Sequence, residues 1–460
     1  MTLCHLPVIP VPSLLRACGN GILGVLLLLT GFAARRCGFA ASALLMFVGS
    51  VFAMAGNVSA DMKQVPGRVA TGAEALVETG FAALDGKRVG LLTNQTGLVG
   101  GRHLADLLHA APNVTLAAIL VPEHGFRGRV EAGEKVRDGI DQATGVVVHS
   151  LYGTSRKPTR RMLRDVDILV FDIQDIGARF YTYISTMGLA MQAAAEAGIP
   201  FMVLDRPNPL GGDYVSGFVL ESRHASFVGQ YPIPIVHGLT VGELARMIQA
   251  ERWLKGLGKL DLRISNMTGW HRAMRWPATG QPWVATSPNI PTFRSALVYP
   301  GIGIIGETQL VNEGRGTPEP FTVFGAPWLD AGRMVRELTA LGLPGVAFQE
   351  ERYQPRSIPG VAASPVFVGR TINGVRVIVT DEASYRTLEV GVHALVALLR
   401  EARAKKVKPL FAKLKMFHAI AGTRRLYRML MDGASGEAVI AAWQDEVAKF
   451  RTRAKPYLIY

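Results

Sequence analysis

The sequence predicts an α/β fold, a parallel sheet with helices on both faces, followed by a smaller α/β domain. Three observations carry this. Short apolar runs alternate with amphipathic segments from Lys87 to Leu204. The runs are continuously apolar, the pattern of strands buried on both faces. Each run ends in polar residues and turn formers, at Asn94, Glu123, Asp172 and Asp205. Parallel crossovers are right-handed, so these ends line one edge of the sheet.

The elements follow in order. Lys87–Asn94 reads as a strand and His103–Ala111 as a helix. Leu116–Val121, Val146–Leu151 and Asp167–Phe171 read as strands. Met187–Ala197 is an alanine-rich helix, and Pro200–Leu204 a strand. Beyond Gly211 the pattern loosens. Thr240–Gln249 reads as a helix, and Trp276–Pro291, rich in Pro, Trp and Thr, as a linker or active-site loop. Leu329–Leu341, Leu388–Lys405 and Trp443–Phe450 read as helices and Gly374–Thr380 as a strand. The 460 residues suffice for two domains, expected at 61–280 and 281–460, after a leader of residues 1–60.

The leader holds two apolar runs, Ile22–Leu29 and Phe39–Ala55, the second preceded by Arg35 and Arg36. Small residues follow, ending in Val58-Ser59-Ala60. This is the layout of a secretory signal, with cleavage expected after Ala60 or, second, after Ala55. An exported protein, periplasmic or extracellular, is expected. A retained membrane tether is the alternative, although Phe39–Ala55 is short for a span of ~20 residues. Cys4, Cys18 and Cys37 all lie in the leader, which leaves no disulfide or thiol chemistry for the remainder. The leader carries three arginines and no acid, so the remainder keeps +11 of the formal +14. Such a charge favours an anionic polymer or surface, cell-wall glycan rather than nucleic acid in an exported chain. No basic-aromatic stripe or nucleic-acid motif is present.

The segment V-P-E-H-G-F-R-G, Val121–Gly128, is the most informative one. It sets Glu123, His124 and Arg127 on a tight loop after a buried strand, where ligands of open α/β sheets bind. Glu123 is the first candidate for a catalytic acid or base. F-D-I-Q-D-I-G-A-R-F-Y-T-Y, Phe171–Tyr183, sets Asp172, Asp175, Arg179, Tyr181 and Tyr183 after the next strand. Arginine holds carboxylates bidentately, and tyrosine rings stack on sugars; a helix-capping Asp paired with Arg179 is the structural reading. Asp205–Gly212 offers Asp205, Arg206 and Asn208 on a rigid loop, readable equally as a well-made turn. Ser287–Thr292 offers Asn289, with a turn as the equal reading. Gly306–Pro320 offers Glu307, Glu313 and Arg315 as an acid pair beside a cation, or as solvated surface charges.

Other chemistries lack their patterns. His124, His149, His237 and His271 have no zinc spacing, and no G-x-S-x-G elbow exists. Gly301–Gly306 matches G-x-G-x-x-G, but that fingerprint must open a helix within a βαβ unit, and Glu307 onward runs into glycines and prolines. No metal, nucleotide or other cofactor is expected.

Collinear strings run through nearly the whole chain beyond the leader: GLLTNQTGL (Gly90–Leu98), VPEHGFRG, GEKV (Gly133–Val136), LYG (Leu151–Gly153), DILVFDIQDIGARFYTYISTM (Asp167–Met187), LDRPNPLGG (Leu204–Gly212), HGLTVGELA (His237–Ala245), SPNIPT and NEGRGTPEPF (Asn312–Phe321). They resemble the bacterial exo-β-N-acetylmuramidase family, formerly a domain of unknown function. The resemblance implies hydrolysis of non-reducing-end β-1,4-linked N-acetylmuramic acid from peptidoglycan fragments. It implies a Rossmann-like first domain, a smaller C-terminal domain and a cleft between them, without metal or nucleotide. Glu123 carries over as the catalytic carboxylate. His124, Arg127, the Asp172–Tyr183 cluster, Asn289 and Glu313-Gly314-Arg315 carry over as cleft residues. The chain departs from the family's E-G-T-N, having Glu307-Thr308-Gln309 and Val311-Asn312 instead, which bears on recognition by this loop and not on the fold.

Glycoside cleavage needs an acid at the leaving oxygen and a second group for water or the anomeric carbon, with the carboxyls ~5 Å apart in retaining and ~6.5–9.5 Å in inverting enzymes, and a substrate-assisted route through the acetamido group as a further option. Glu123 is expected as the acid, with Asp172, Asp175, Glu307 or Glu313 as the second group. The lactyl carboxylate of muramic acid calls for an arginine, from Arg179, Arg127 or Arg315. A non-catalytic wall-binding protein and a cell-wall esterase or amidase are the rival readings.

Overall fold

The structure is a computed structural model and describes residues 67–126 and 133–460. Arg127 therefore lies outside the described residues, as does the leader.

Seven strands form the main sheet: β1 (Arg88–Thr93), β4 (Thr115–Val121), β5 (Gly139–Ile140), β6 (Val147–Ser150), β7 (Ile168–Asp172), β8 (Phe201–Leu204) and β9 (Leu262–Ser265). The short strands β2 (Leu98–Val99) and β3 (Arg102–His103) make a separate ribbon. The sheet order is β5-β6-β4-β1-β7-β8-β9. Every pairing is parallel except that of the edge strand β5 with β6. Outward from β1, this is the doubly wound order, with a reversal between β1 and β7.

Successive side chains of a strand point to opposite faces, and here both faces are covered. Val89 and Leu91 of β1, Ile119 of β4 and Val170 of β7 pack with Leu76 of α1 (Gly72–Glu78) and with Leu104 and Leu108 of α2 (Leu104–Ala110). Leu92, Leu120 and Phe171 pack on the other face with Met187 of α3 (Tyr183–Ala197) and Leu244 of α4 (Val241–Ala250). Each such side chain contributes ~1.5–3 kcal/mol on burial. Helix starts follow the sequence: Thr71 and Thr240 each close a capping box, with Glu74 and Glu243. α3 begins four positions before the expected Met187, because Tyr183 and Ile184 are buried and so continue its apolar face.

The C-terminal part holds a three-stranded antiparallel sheet, β10 (Val323–Ala326), β12 (Ile372–Val379) and β11 (Val346–Tyr353), in the order β10-β12-β11. Helices α5 (Phe293–Gly306), α6 (Ala331–Ala340) and α7 (Thr387–Ala404) accompany it. The G-x-G-x-x-G match lies in α5 and ends this helix instead of opening one. Its glycine serves packing. A Cβ on Gly301 would lie 2.0 Å from the Thr387 carbonyl oxygen, and one on Gly391 would lie 2.5 Å from the Gly301 Cα. The two helices cross where neither backbone bears a side chain.

Four shorter helices, α8 (Leu414–Ala421), α9 (Arg425–Met431), α10 (Gly436–Ala441) and α11 (Gln444–Ala454), close the chain. The terminal Tyr460 returns to the main sheet, where its hydroxyl donates to Asp205 Oδ2 at 2.9 Å.

Candidate active site

Glu123 follows β4 and is buried. The Gly133 N–H donates to its Oε1 at 2.8 Å. The Thr182 hydroxyl, one residue before α3, donates to its Oε2 at 2.8 Å. The loop turns on His124, which is buried at φ 72°, with Gly125 behind it, also at φ 72°. A β-carbon in the left-handed region costs energy and recurs at functional sites. Gln309 (φ 60°) and Phe321 (φ 69°) share this strain near the Glu313–Arg315 pair.

Tyr181, Tyr183 and Tyr299 form the adjoining wall. Tyr181 meets Tyr183 and Tyr299 edge to face, with centroids 4.9 and 6.1 Å apart. Tyr299 meets Phe321 at 4.7 Å. Tyr181 donates to Thr286 Oγ1 at 2.8 Å and Tyr183 to the Thr286 carbonyl at 2.5 Å. Burial pushes the Tyr299 hydroxyl well above its usual range; Arg315 opposes this, and Glu307, Glu123 and Glu313 add to it. One hydroxyl of the C-terminal part thus feels the Glu123 carboxyl of the main sheet together with the Glu307–Arg315 loop. Tyr152 is pushed up to about 12 by burial and then by Glu123.

The Glu313 loop is held by Asn312, whose backbone pairs with Gly325 of β10 in both directions, at 2.8 and 2.9 Å. Glu313 is buried; its Oε1 accepts from Arg315 at 2.6 Å, and its Oε2 has no hydrogen-bond partner. The Arg315 guanidinium also lies 5.1 Å from the Phe321 ring centre. Glu307 caps the end of α5 and is pushed up by burial, against the opposing charge of Arg315. A cavity of about 220 Å³ opens beside them, lined by Asn289, Gln309, Glu313, Arg315 and Lys413. Asn289 lends its side-chain N–H to the Val361 carbonyl at 2.5 Å. Asn94, after β1, accepts from the Thr96 N–H and hydroxyl at 2.9 and 2.6 Å and so shapes its own turn.

The structure places the remaining candidates in other work. Asp172 is fully buried, and both its oxygens are held by Arg206, at 2.6 and 3.0 Å. Fully buried and held bidentately, Asp172 forms an ion pair with Arg206 in place of the expected catalytic role. Arg179 is also corrected: it donates to the Phe218, Ile233 and Ile420 carbonyls at 2.7, 2.8 and 2.8 Å. Burial lowers it to about 9. It clamps three segments and is closed to a ligand carboxylate. Asp205 accepts from Gly242 N, Thr240 Oγ1 and Tyr460, and burial raises it to about 7. Asn208 joins the Leu239 carbonyl and the Leu210 N–H. Both are loop anchors. Asp175 accepts from Gly177 N at 2.7 Å and stands 4.0 Å from His237 Nε2. Burial raises the Asp to about 7 and lowers the His to about 3, so His237 is neutral and forms no ion pair with it.

Thr182, Tyr299 and Lys413 were not singled out by the sequence reading. Thr182 stands inside the Phe171–Tyr183 cluster but has no charge to single it out. Tyr299 lies in an apolar helix that carries no polar signal. Among the described residues no group of three or more His, Cys, Asp and Glu could hold a metal ion.

Comparison with known proteins agrees with this architecture. A DUF1343 family protein of Bacteroides fragilis NCTC 9343 superposes with a TM-score of 0.77 at 39% identity, covering 86% of this chain and 99% of that one. A second protein of that family and strain gives 0.68 at 34% identity, covering 85% and 99%. The peptidoglycan beta-N-acetylmuramidase NamZ of Bacillus subtilis strain 168 is 40% identical over 418 residues, 91% of this chain and 97% of the relative. The N-terminal model of exo-beta-N-acetylmuramidase NamZ matches residues 89–294 and the C-terminal model 297–460. The chain is a glycoside hydrolase and belongs to the NamZ exo-beta-N-acetylmuramidase family.

Proposed function

We propose that this chain hydrolyses N-acetylmuramic acid from the non-reducing end of β-1,4-linked peptidoglycan fragments, with Glu123 and Glu307 as its acid/base pair. What supports this is the Glu313–Arg315 pair lining one cavity, with the charges of Glu123, Glu307, Glu313 and Arg315 all acting on the Tyr299 hydroxyl, in a chain whose Bacillus subtilis relative bears that activity in its name. Two donors onto Glu123 support a base or nucleophile there. Burial of Glu307 supports the acid. This reverses the order expected from sequence. Arg315, with Lys413 on the same cavity, is the cation for the lactyl carboxylate; its bond to Glu313 orients it. Export to the periplasm or cell exterior is part of the proposal and rests on the leader's sequence.

The test is release of chromophore from a chromogenic β-N-acetylmuramide by the full chain, beside Glu123→Gln, Glu307→Gln and the N-acetylglucosamine analogue. The expected result is turnover of the muramide alone and a loss of about 10²–10⁴-fold in each variant. Folded protein that binds wall fragments but releases nothing would turn the reading to a non-catalytic wall binder.

A further inference from the structure

A doubly wound sheet opens a crevice where its strand order reverses, here between β1 and β7. A pocket of about 200 Å³ occupies that place. Thr96 follows β1, Gln174 follows β7, and Arg206 follows β8; Trp276 and Gln281 close the other side. It shares no lining residue with the Glu313–Arg315 cavity. The segment 281–287 runs between the two sites. Its Gln281 end lines the pocket, and its Thr286 end holds Tyr181 and Tyr183. Gln95 fastens it to the sheet edge by donating to the Ala285 and Thr286 carbonyls at 2.8 and 3.1 Å.

The charges of the pocket are balanced in pairs. Arg206 is 6% exposed, and Asp172 holds it through Nε and Nη2; its Nη1 has no hydrogen bond among the described residues. Arg68 is paired with Glu74 at 2.5 Å and donates to Gln281 at 3.2 Å, while Gln281 donates to Glu74 at 2.9 Å. Trp276, which packs edge to face on Trp283, and Gln174 both line the pocket, and the Trp276 Nε1 donor and the Gln174 Oε1 acceptor are buried without a hydrogen-bond partner. An anion would compete with Asp172 and Glu74 for guanidinia already neutralised, and a cation would meet no free carboxylate. A ligand with both donors and acceptors, no net charge and an apolar face for Trp276 fits these walls. We infer that this pocket binds a neutral sugar of the N-acetylhexosamine class, a second unit of the glycan apart from the one cleaved. The choice of ligand rests on the proposed action on wall glycan.

The test is ligand-detected NMR with N-acetylglucosamine on the full chain, with the catalytic cleft saturated by N-acetylmuramic acid. Leu98→Trp fills the pocket from the β2 ribbon, and Gln281→Leu removes its polar strap contact. Expected is a signal for N-acetylglucosamine in the parent chain that weakens about tenfold or more in both variants, with chromogenic muramide turnover within about twofold of the parent. Melting curves establish that at least one variant is folded. No signal in the parent, or an undiminished one in a folded variant, overturns the inference. A chain that binds the sugar in the pocket yet never cleaves the muramide would refute the proposed function and leave the pocket standing.

Discussion

Thr182 donates its hydroxyl to Glu123 across 59 positions of sequence, at 2.8 Å. The contact fixes one carboxylate oxygen at the tip of β4 from the start of α3. Thr182→Val keeps the shape and removes the donor. It should lower kcat by about 10–100-fold with KM nearly unchanged and shift the pH–rate profile, since an unanchored carboxylate loses orientation rather than substrate contact. A KM increase with kcat intact would show instead that Thr182 binds substrate.

Arg179 should behave as a stability residue. Arg179→Met leaves the buried Phe218 and Ile420 carbonyls without donors and the Ile233 carbonyl with the Leu220 N–H alone, at about 1–3 kcal/mol for each unsatisfied group. Denaturant titration should show a loss of several kcal/mol. Muramide over glucosaminide selectivity of the folded fraction should not change. A selective loss of muramide turnover in a stable variant would return Arg179 to the lactyl group.

Asp175 should destabilise the fold as pH rises. Its folded pKa of about 7 stands above the ordinary 3.8, so the protonated form is the one the fold favours. The stability it contributes is present below about pH 4 and is lost as pH rises through 7. Asp175→Asn removes this dependence, so the stability of the variant relative to the parent should climb between pH 4 and 7. A difference independent of pH would mean that the buried carboxyl ionises freely.

The Gly301–Gly391 crossing admits no side chain. Gly391→Val should force α5 and α7 apart and cost about 1–3 kcal/mol or more. Because α5 carries Tyr299 and Glu307, activity should fall at temperatures where the variant is still folded. Full activity and stability would show that the helices separate without effect.

Much of this was legible in sequence for a local reason. Continuous apolar runs and their polar ends marked strands β1, β4, β7 and β8, and parallel connection brought Asn94, Glu123, Asp172 and Asp205 to one edge. Strand β11 was not legible: its Gln349, Glu350 and Glu351 leave it partly exposed, without an apolar run. Helix α5 was masked by Pro300 and its glycines, residues that read as breakers until a partner helix is seen to need them.

What the sequence determined by itself was the α/β class, the sheet edge and the candidate Glu123, because these depend on periodicity and on residues near one another in the chain. Which polar residues are free to act was decided only by the tertiary structure. Asp172 and Arg206 are 34 positions apart and neutralise each other. Arg179 reaches a carbonyl 241 positions away. The charges of Glu307, Arg315 and Glu123, far apart in the chain, all act on the one Tyr299 hydroxyl. A side chain's chemistry is set by its partners and its loss of water, and both are supplied by segments that the local sequence does not contain.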